Sequence, residues 1–400
     1  MTENYREKIE KAGFTAVSED EILASLRQQI EYARSHSSFY AEHLQDITLP
    51  EKLEDMASLP FTGPDCIRDH GKSMVCVSAG EVRRIVSLFS SGTSSSPKRV
   101  YFSEGDLQRT VDFFAEGMGW MCSPGEKVGI LLPCEVPDGV GDLLARGLEK
   151  LGARPLRIGL VKNPSALADE LMAQKPHVLV GMPWQLRLLS LALPELKPRT
   201  VLLSADYVPE AVYPFLEKQW GCRVLGHFGM TETCFGGAVE CLLHRGMYLR
   251  RNELYAEIID PHSGRLLPHG ETGELVLTTL RREAMPLIRY RTGDYARLAA
   301  DSIGIIEGVY GRIASPRSEY LLQEALCVYP ELYDFSVSRY EDGNLRARLL
   351  TSPGISDELL LEVQTVISKI CGEKLPPMLD VIRADAMNSS LFNPGKRVSI

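Results

Sequence analysis

The chain has 400 residues, of which 44% are hydrophobic and 24% charged, and its formal net charge at pH 7 is −9. These values are ordinary for a globular protein with one large and one small domain or two comparable ones. They argue against intrinsic disorder, a membrane span and general binding to nucleic acid. The polar N-terminus does not resemble a signal peptide, and the nine cysteines include no Cys-x-x-Cys pair. We therefore expect a cytoplasmic protein in a reducing environment.

The N-terminal part of the chain predicts a helix and, later, a strand–loop–strand unit. Ser18 and Glu21 form a capping box, and the apolar residues after them recur at helical spacing as far as about residue 35. Further on, two apolar runs, Val86–Phe89 and Val100–Phe102, flank a loop of hydroxyl side chains. The loop consists of Ser90, Ser91, Gly92, Thr93, Ser94, Ser95, Ser96, Pro97 and Lys98.

This hydroxyl-rich loop is a candidate phosphate-binding loop. Its backbone N–H groups, its hydroxyls and the charge of Lys98 suit the oxygens of a polyphosphate, and Gly92 permits close approach. A kinase-type phosphate loop is disfavoured, because that pattern needs Gly-Lys-Ser/Thr at the start of a helix, whereas a strand follows Lys98 here. A serine-rich turn without a ligand is the remaining alternative.

Predicted helices and strands alternate between residues 103 and 228. One helix is capped by Ser103, with Asp106 at its third position, and another, Val140–Leu151, is ended by Gly152. The remaining helices cover Asn163 to near Pro176, Trp184–Leu193 and Pro209–Trp220, and the strands cover Val128–Leu132, Pro155–Ile158, Val178–Val180, Val201–Ser204 and Arg223–Phe228. This alternation predicts an α/β fold with a doubly wound, mostly parallel sheet. Ligands of such sheets bind at the carboxyl ends of strands, so Ser204-Ala205-Asp206 and Phe228–Glu232 are candidate site segments.

The pattern changes after about residue 247, where Tyr255–Ile259 and Glu274–Leu280 predict an antiparallel β subdomain. Leu287–Tyr290 predicts a third strand, followed by a turn at Arg291-Thr292-Gly293-Asp294. We place a boundary near Gly311-Arg312, and the short strands and helix beyond it predict a small α+β domain. The predicted domains are therefore a large N-terminal domain of residues 1–311 and a small C-terminal domain of residues 312–400.

Two further motifs place a carboxylate where a nucleotide could bind. In Phe228-Gly229-Met230-Thr231-Glu232, a carboxylate at a strand end can hold Mg²⁺ beside a triphosphate, and Phe228 can lie flat on a purine. Taken alone, this segment is equally consistent with a surface loop. In Tyr290-Arg291-Thr292-Gly293-Asp294, a carboxylate after a glycine turn can accept hydrogen bonds from both ribose hydroxyls.

In this order, the three motifs resemble those of the adenylate-forming (AMP-binding) superfamily, whose phosphate loop reads Ser-Gly-Thr-Thr-Gly-x-Pro-Lys. Residues 91–98 align with that pattern, and Gly395-Lys396 resembles the Gly-Lys near the family's C-terminus. Within the superfamily the chain is most similar to the phenylacetate–CoA ligase group, through Leu59-Pro60-Phe61-Thr62 and Ile288-Arg289-Tyr290-Arg291 among other stretches. The likeness covers about residues 20–312 well and the remainder poorly.

The resemblance implies roles for individual residues. Lys396, Thr231 and Glu232 are implied to be catalytic. Lys396 would stabilise charge that develops during attack on the α-phosphate, and Thr231 and Glu232 would contact phosphate and metal, with Glu232 as the metal ligand. The implied nucleotide-binding residues are Ser90, Ser91, Gly92, Thr93, Ser94, Ser95, Lys98, Ser204, Ala205, Asp206, Phe228, Gly229, Asp294 and Arg312. Among them Phe228 would pack on adenine, and Asp294 and Arg312 would contact the ribose.

The resemblance also implies the reaction, in which ATP activates a carboxylic acid, by group likeness an aromatic one, to an acyl-adenylate. The acyl group would then pass to CoA, with release of AMP and pyrophosphate. The implied cofactors are ATP, Mg²⁺ and CoA as co-substrate, and the group suggests a homodimer. We expect Pro133–Gly141, Gly181–Trp184 and Phe235–Gly237 to line the acid pocket.

Alternative functions stay open because the chain departs from the family pattern. Ser95 replaces the second glycine of the phosphate loop, Ala314 stands where a hinge Asp is expected, and no Gly-rich loop follows it. One alternative is a ligase or adenylyltransferase with an acceptor other than CoA, and another is a non-catalytic nucleotide-binding regulator. Cys241 and His244 could hold zinc, although a buried Cys beside a surface His is a simpler interpretation. His227 could line the acid pocket or pack in the core.

Overall fold

The structure of the protein is a computed structural model, which describes residues 17–88, 97–240, 244, 246–300, 304–313, 317–340, 344–373, 376–392 and 397–399. The α-helices are α1 Glu19–His36, α2 Ser38–His43, α3 Pro64–His70, α4 Glu104–Met118, α5 Val140–Leu151, α6 Ser165–Gln174, α7 Pro183–Ala192, α8 Val212–Trp220, α9 Arg317–Leu326 and α10 Asp357–Cys371. Short 3₁₀ helices cover Leu53–Ser58, Thr231–Thr233 and Ala386–Asn388.

The strands follow the same chain order. They are β1 Val82–Leu88, β2 Lys98–Ser103, β3 Lys127–Leu131, β4 Arg154–Arg157, β5 Val178–Gly181, β6 Thr200–Leu203, β7 Arg223–Phe228, β8 Ala238–Glu240, β9 Met247–Leu249, β10 Leu254–Ile259, β11 Thr272–Thr279, β12 Tyr290–Leu298, β13 Ile305–Arg312, β14 Leu332–Arg339, β15 Leu345–Thr351, β16 Met378–Arg383 and β17 Val398–Ser399. In the described parts of the chain, no helix combines the length and the apolar character that a membrane crossing requires.

The chain divides into two compact units, each built from two segments of the sequence. Unit 1 contains Met1–Gly117 and Phe228–Val309, and unit 2 contains Met118–His227 and Tyr310–Ile400. One limit between the units, at Val309 and Tyr310, falls close to the boundary predicted near Gly311-Arg312. The division into domains 1–311 and 312–400 stays a prediction.

Unit 2 contains the predicted doubly wound sheet. Its strand order is β4-β3-β5-β6-β7, and each adjacent pair runs parallel. β5 and β6 are buried along their whole length, as expected of central strands covered on both faces. β4 pairs with one edge of β3 and β5 pairs with the other, so the direction in which strands are added to the sheet reverses at β3. The gap between β3 and β5 is therefore the topological switch point of a doubly wound fold. The parallel α/β prediction is confirmed.

The helix ends in unit 2 follow from local sequence. Gly152 and Gly221 end α5 and α8 in the left-handed conformation, with φ of 82° and 67°, which glycine adopts without steric cost. Gly152 was predicted to end its helix, and it does. Asn163 accepts hydrogen bonds from the backbone N–H and the hydroxyl of Ser165, so its side chain satisfies the start of α6.

The second sheet of unit 2 has the order β16-β15-β14-β17 and belongs to the predicted small α+β region with α9 and α10. It shares a hydrophobic core with α7 and α8 of the same unit. Two buried side chains of α7 also donate hydrogen bonds to this region. Trp184 Nε1 donates to Gln323 Oε1 at 3.1 Å, and Arg187 Nη1 donates to the carbonyl of Leu332 at 2.6 Å.

Unit 1 contains the antiparallel strands, in the order β10-β11-β12-β13-β9-β8, together with the β1–β2 hairpin. The hairpin pairs Val86 with Val100, as the strand–loop–strand pattern predicts. Both predicted capping boxes in this unit are present, Ser18 with Glu21 at α1 and Ser103 with Asp106 at α4. Strands β8, β9 and β13 were not predicted, because three-residue strands and a glycine-interrupted one carry little periodic signal.

Candidate functional site

The centre of the candidate site in unit 1 is an ion pair between Lys98 and Glu232. Lys98 Nζ lies 2.6 Å from Glu232 Oε1, although the residues are 134 positions apart in the chain. Lys98, the last residue of the hydroxyl-rich loop, starts β2, and Glu232 lies in the 3₁₀ turn Thr231–Thr233. The Glu232 side chain is 5% exposed and that of Lys98 is 22% exposed. Partial exclusion of water strengthens the attraction between them relative to a surface pair.

The third predicted motif reaches the same carboxylate through Tyr290. The hydroxyl of this fully buried residue donates to Glu232 Oε1 at 3.2 Å. The backbone carbonyl of Glu232 accepts a hydrogen bond from Arg282 Nη2 at 3.4 Å, so the residue is held through both its side chain and its main chain. Three motifs that are distant in the sequence therefore meet at one buried acid. From the sequence, Tyr290 was assigned no role. Its position as the first residue of the Tyr-Arg-Thr-Gly-Asp motif is the feature that could have indicated a place in the site.

The turn that carries Glu232 is conformationally strained. Cys234 and Phe235 have φ angles of 61° and 67°, a region that costs energy for residues other than glycine. Three hydrogen bonds fix this backbone. The carbonyl of Met230 accepts from the N–H groups of Thr233 and Phe235, and Thr110 Oγ1 of α4 donates to the carbonyl of Cys234 at 2.9 Å. These hydrogen bonds hold the turn in the conformation that places Glu232 beside Lys98.

The oxygen atoms of this turn fit Mg²⁺. Glu232 supplies a carboxylate and Thr231, which is half-buried, supplies a hydroxyl, and Mg²⁺ in proteins is commonly held by one or two carboxylates together with substrate phosphates. Among the described residues, no group of three or more His, Cys, Asp or Glu side chains is arranged to hold a metal ion. An ion at Glu232 would therefore need further oxygen ligands from a substrate or from water.

Phe228 ends β7 and packs closely against Gly237. A Cβ atom at Gly237 would lie 2.9 Å from the carbonyl oxygen of Phe228 and 3.1 Å from its ring Cδ1. Any side chain at position 237 would therefore displace the aromatic ring or its backbone. Phe228 is half-buried and Gly229 after it is exposed, so part of the aromatic residue remains open to a planar ligand.

Asp294 lies inside a strand, which corrects the turn predicted for residues 291–294. The motif belongs to β12, where Arg291 pairs with Val276 and Tyr295 pairs with Glu274. The intervening residues form a β-bulge around Gly293, whose φ of 75° suits glycine. Thr292 Oγ1 accepts the backbone N–H of Asp294 at 3.0 Å. The prediction failed because a glycine bulge and a turn share the same local sequence, while only the neighbouring strand distinguishes them.

In unit 2, the predicted segment Ser204-Ala205-Asp206 directly follows β6. Ser204 Oγ lies 2.9 Å from His227 Nδ1 near the end of the adjacent strand β7, and burial lowers the pKa of His227 to about 4. This imidazole is therefore neutral at pH 7. Ala205 has a φ of 67°, a strained conformation at a strand end of the kind found at functional sites.

Asp206 is engaged by a residue that sequence reasoning did not assign to the site. Its Oδ2 atom accepts from Arg397 Nη1 at 2.9 Å, and its Oδ1 atom accepts from the backbone N–H of Tyr207 at 2.8 Å. Arg397 also contacts the buried Asp334 of β14. Two features of the sequence could have pointed to these ion pairs. Arg397 directly follows Lys396, and Asp334 is an acidic residue between two aromatic ones, Tyr333 and Phe335.

Ser90, Ser91, Gly92, Thr93, Ser94, Ser95 and Lys396, together with Cys241 and Ala314, lie outside the described residues. Arg312 is described, and it is an exposed residue at the end of β13. His244 Nδ1 lies 3.1 Å from Glu240 Oε1, so the described partner of this histidine is a carboxylate four residues earlier.

A cavity of about 400 Å³ lies beside β2 in unit 1. It is lined by Ile67, Arg68, Asp69, His70, Gly71, Lys72, Ser73, Pro97, Arg99 and Tyr101. Pro97 belongs to the hydroxyl-rich loop and precedes Lys98, whereas the other lining residues were assigned no role, and Arg68 is already paired with Asp65 and Asp69. Neither Lys98 nor Glu232 lines the cavity.

The sequence matches a family model described as AMP-binding enzyme over residues 28–280. Curated relatives include a phenylacetate-coenzyme A ligase of Pseudomonas putida, which is 27% identical over 356 residues and is matched over 81% of this chain and 79% of its own length. A protein of the same name from Thermus thermophilus is 28% identical over 323 residues, covering 76% of this chain and 72% of the relative.

Solved structures share the fold at low sequence identity. A 2-hydroxyisobutyryl-CoA ligase in complex with R3-HIB-AMP superposes with a TM-score of 0.77 at 20% identity, covering 95% of this chain and 89% of that one. An anthranilate CoA ligase in complex with anthranoyl-AMP gives a TM-score of 0.52 at 16% identity, over 76% of this chain and 66% of that one. Both likenesses confirm the expected fold.

Proposed function

The chain belongs to the family of AMP-binding enzymes, and on that basis we propose that it activates a carboxylic acid with ATP and transfers the acyl group to CoA. In the first step, a carboxylate oxygen attacks the α-phosphorus of ATP, the bond to the β-phosphate oxygen breaks, and pyrophosphate leaves. In the second step, the CoA sulfur attacks the acyl carbon, the bond to the AMP oxygen breaks, and the thiol proton passes to solvent. The products are a thioester, AMP and pyrophosphate.

The contact between Lys98 and Glu232 carries this proposal. It joins the end of the hydroxyl-rich loop to the Thr-Glu motif, two segments that must meet if both contact one triphosphate. A partly buried cation and a buried carboxylate are also the groups needed to bind phosphate oxygens and a divalent ion side by side. Tyr290, from the motif that contains Asp294, bonds to the same carboxylate.

The phosphate groups of ATP are the proposed ligands of the loop residues Ser90, Ser91, Gly92, Thr93, Ser94 and Ser95 and of Lys98. Thr231 would contact phosphate and Glu232 would hold Mg²⁺, which when bound neutralises phosphate charge. In the first step, the residues of this chain would position the acid and ATP and stabilise charge on the phosphate oxygens. The strained, hydrogen-bonded turn supports this role, because its carboxylate needs no rearrangement of the backbone to present its oxygens.

The nucleoside is the proposed ligand of a second group of residues. Phe228 and Gly229 would contact adenine, and the half-buried aromatic held against Gly237 supports that assignment. Asp294 and Arg312 would contact the ribose hydroxyls. The strand-end residues Ser204, Ala205 and Asp206 complete the proposed nucleotide-binding set.

Lys396 is the proposed catalytic residue. Its ammonium would stabilise the negative charge that develops between the attacking carboxylate and the α-phosphate. We propose that it belongs to a small mobile C-terminal domain, residues 312–400, which reorients between the two steps relative to residues 1–311.

An aromatic or arylalkanoic acid is the proposed substrate. Two relatives that are 27% and 28% identical are phenylacetate-coenzyme A ligases. Residues 133–141 lie just after β3 and residues 181–184 start at the last residue of β5, so both flank the switch point of the parallel sheet, where doubly wound folds bind ligands. These segments, with residues 235–237, are the proposed lining of the acid pocket.

The cellular setting is also proposed from these features. The described cysteines are all free thiols, which supports a reducing cytoplasm. The proposed partners are small molecules, namely the acid, ATP and CoA, and the group resemblance supports a homodimer. Light scattering on the purified protein would measure the oligomeric state directly.

A two-stage assay tests the proposed function. Carboxylate-dependent exchange between ATP and labelled pyrophosphate is measured over a panel of aryl, arylalkanoic and aliphatic acids, with the Glu232→Gln variant as a control for contaminating ligases. CoA is then added, and we expect AMP and the thioester to form together. Exchange without a thioester would indicate another acceptor. Nucleotide binding without exchange for any acid would indicate a non-catalytic regulator and overturn the proposal.

A further inference from the structure

Arg397 lies between two carboxylates of unit 2. Its Nη1 atom is 2.9 Å from Asp206 Oδ2, and its Nε atom is 2.9 Å from Asp334 Oδ1. The residue is 3% exposed, and its guanidinium lies 5.0 Å from the centre of the Trp184 ring. A planar guanidinium can pair with two carboxylates and pack over an aromatic ring at the same time, whereas the ammonium of lysine cannot.

The three charged residues come from separate parts of unit 2. Asp206 follows β6 and is a proposed nucleotide-binding residue, and Asp334 lies in β14. Arg397 immediately precedes β17, and its carbonyl accepts the backbone N–H of Val337 in β14 at 2.7 Å. Asp334 is fixed further by the N–H groups of Phe335 and Phe392, at 2.9 and 2.8 Å. Asp334 is thus the anchored partner, and Asp206 is the partner at the strand end.

The ion pairs hold the guanidinium charged despite its burial. Burial alone would lower the pKa of Arg397, but the charges of Asp334 and Asp206 outweigh it and raise the pKa. Removing one partner from a buried ion pair is costly, because it leaves the other charge without compensation. The contact between Arg397 and Asp206 therefore strongly favours the arrangement in which the C-terminal strand lies beside the end of β6.

We propose that Arg397 is a positioning residue for Lys396 in the adenylation step, acting by clamping the C-terminal strand to Asp206 and Asp334. This inference rests on the proposed function. Consecutive Cα atoms are about 3.8 Å apart, so whatever holds Arg397 limits where Lys396 can reach. The clamp would serve attack on the α-phosphate and would be dispensable for attack of CoA on a preformed acyl-adenylate.

The Arg397→Lys variant tests the clamp without removing its charge. We expect acid-dependent pyrophosphate exchange to fall at least tenfold through kcat, with little change in KM for ATP. Thioester formation from added acyl-adenylate and CoA should stay within twofold of wild type. In the Lys396→Ala background, Arg397→Lys should cause no further loss, because a residue that acts only through Lys396 has nothing left to position. Equal losses in both half-reactions, or additive losses in the double variant, would show a structural role and overturn the proposal.

A second measurement does not depend on catalysis. Hydrogen exchange at the amide of Val337, which donates to the carbonyl of Arg397, should become at least tenfold faster in Arg397→Lys, while amides of the β5–β6 pairing stay unchanged. Unchanged protection at Val337 would overturn the clamp even if the enzyme proved inactive toward every acid. Inactivity of the wild type would count against the proposed function alone, so the two failures are distinguishable.

Discussion

Lys98 Nζ and Glu232 Oε1 lie 2.6 Å apart, so the cation at the end of the hydroxyl-rich loop and the carboxylate proposed to bind Mg²⁺ neutralise one another. Phosphate oxygens would offer Lys98 a new partner, and the metal ion would do the same for Glu232. Binding of Mg²⁺ and ATP at the proposed site would therefore exchange one partly buried ion pair for two charge-assisted contacts, which would limit the desolvation cost.

Replacing Lys98 by alanine should impair the adenylation step strongly. The phosphate charge would lose its cation, and of the side-chain donors that the described residues provide to Glu232, the hydroxyl of Tyr290 would be left. We expect kcat for pyrophosphate exchange to fall about 100-fold, as when one preorganised donor to a developing charge is removed, and KM for ATP to rise. Arg99→Ala is the matched control, because Arg99 is the next residue of β2 and is exposed. Equal losses in both variants would argue against a specific role for Lys98.

Gly237→Ala should weaken nucleotide binding by displacing Phe228. The added methyl would lie 2.9 Å from the Phe228 carbonyl oxygen and 3.1 Å from its ring, and overpacking of this kind typically costs about 1–3 kcal/mol. We expect the Kd for ATP, measured by calorimetry, to rise about tenfold. The control is Gly354→Ala, since nothing lies within 4 Å of a Cβ there. An unchanged Kd in Gly237→Ala would remove Phe228 from the adenine site.

Lys396→Ala should separate catalysis from binding. Because its proposed partner is charge that develops only during attack on the α-phosphate, we expect loss of most pyrophosphate exchange, at least 100-fold, with the Kd for ATP unchanged. Lys369→Ala, in the last turn of α10 and exposed, is the control for loss of a C-terminal lysine. A parallel loss of ATP affinity would mean that Lys396 only binds the nucleotide.

His227 predicts a pH dependence of stability. Its pKa is about 4 in the folded protein, against about 6.5 unfolded, so between these values the unfolded state binds more protons. The free energy of unfolding should therefore fall as the pH drops from 6.5 to 4, by up to about 3 kcal/mol from this group.

Urea unfolding between pH 4 and 7.5 measures this effect. In His227→Asn, whose amide can still bond to Ser204, the decrease on acidification should be smaller than in wild type. His262→Asn, in the exposed turn after β10, controls for the loss of a histidine elsewhere. An identical pH profile for wild type and His227→Asn would contradict the expectation.

Much of the fold was readable in the sequence because it depends on local periodicity. The alternation of apolar runs and capped helices predicted the parallel sheet of unit 2, and Gly152 predicted the end of α5. The strands β8 and β9 were not predicted, because three residues are too few to show an alternation of apolar and polar side chains. The bulge at Gly293 was mistaken for a turn because its identity depends on pairing with Glu274, which lies in another strand.

The sequence by itself determined which chemical groups are present and in what order, because the motifs are contiguous and their residue types suit phosphate, metal and ribose. Only the tertiary structure decided which of them meet. Lys98 contacts Glu232, which is 134 positions away in the sequence, and the hydroxyl of Tyr290 bonds to the same carboxylate. Asp206 pairs with Arg397, which is 191 positions away and to which no motif had assigned a role. Such contacts depend on how the sheets pack, and packing is a property of the whole chain that no single segment encodes.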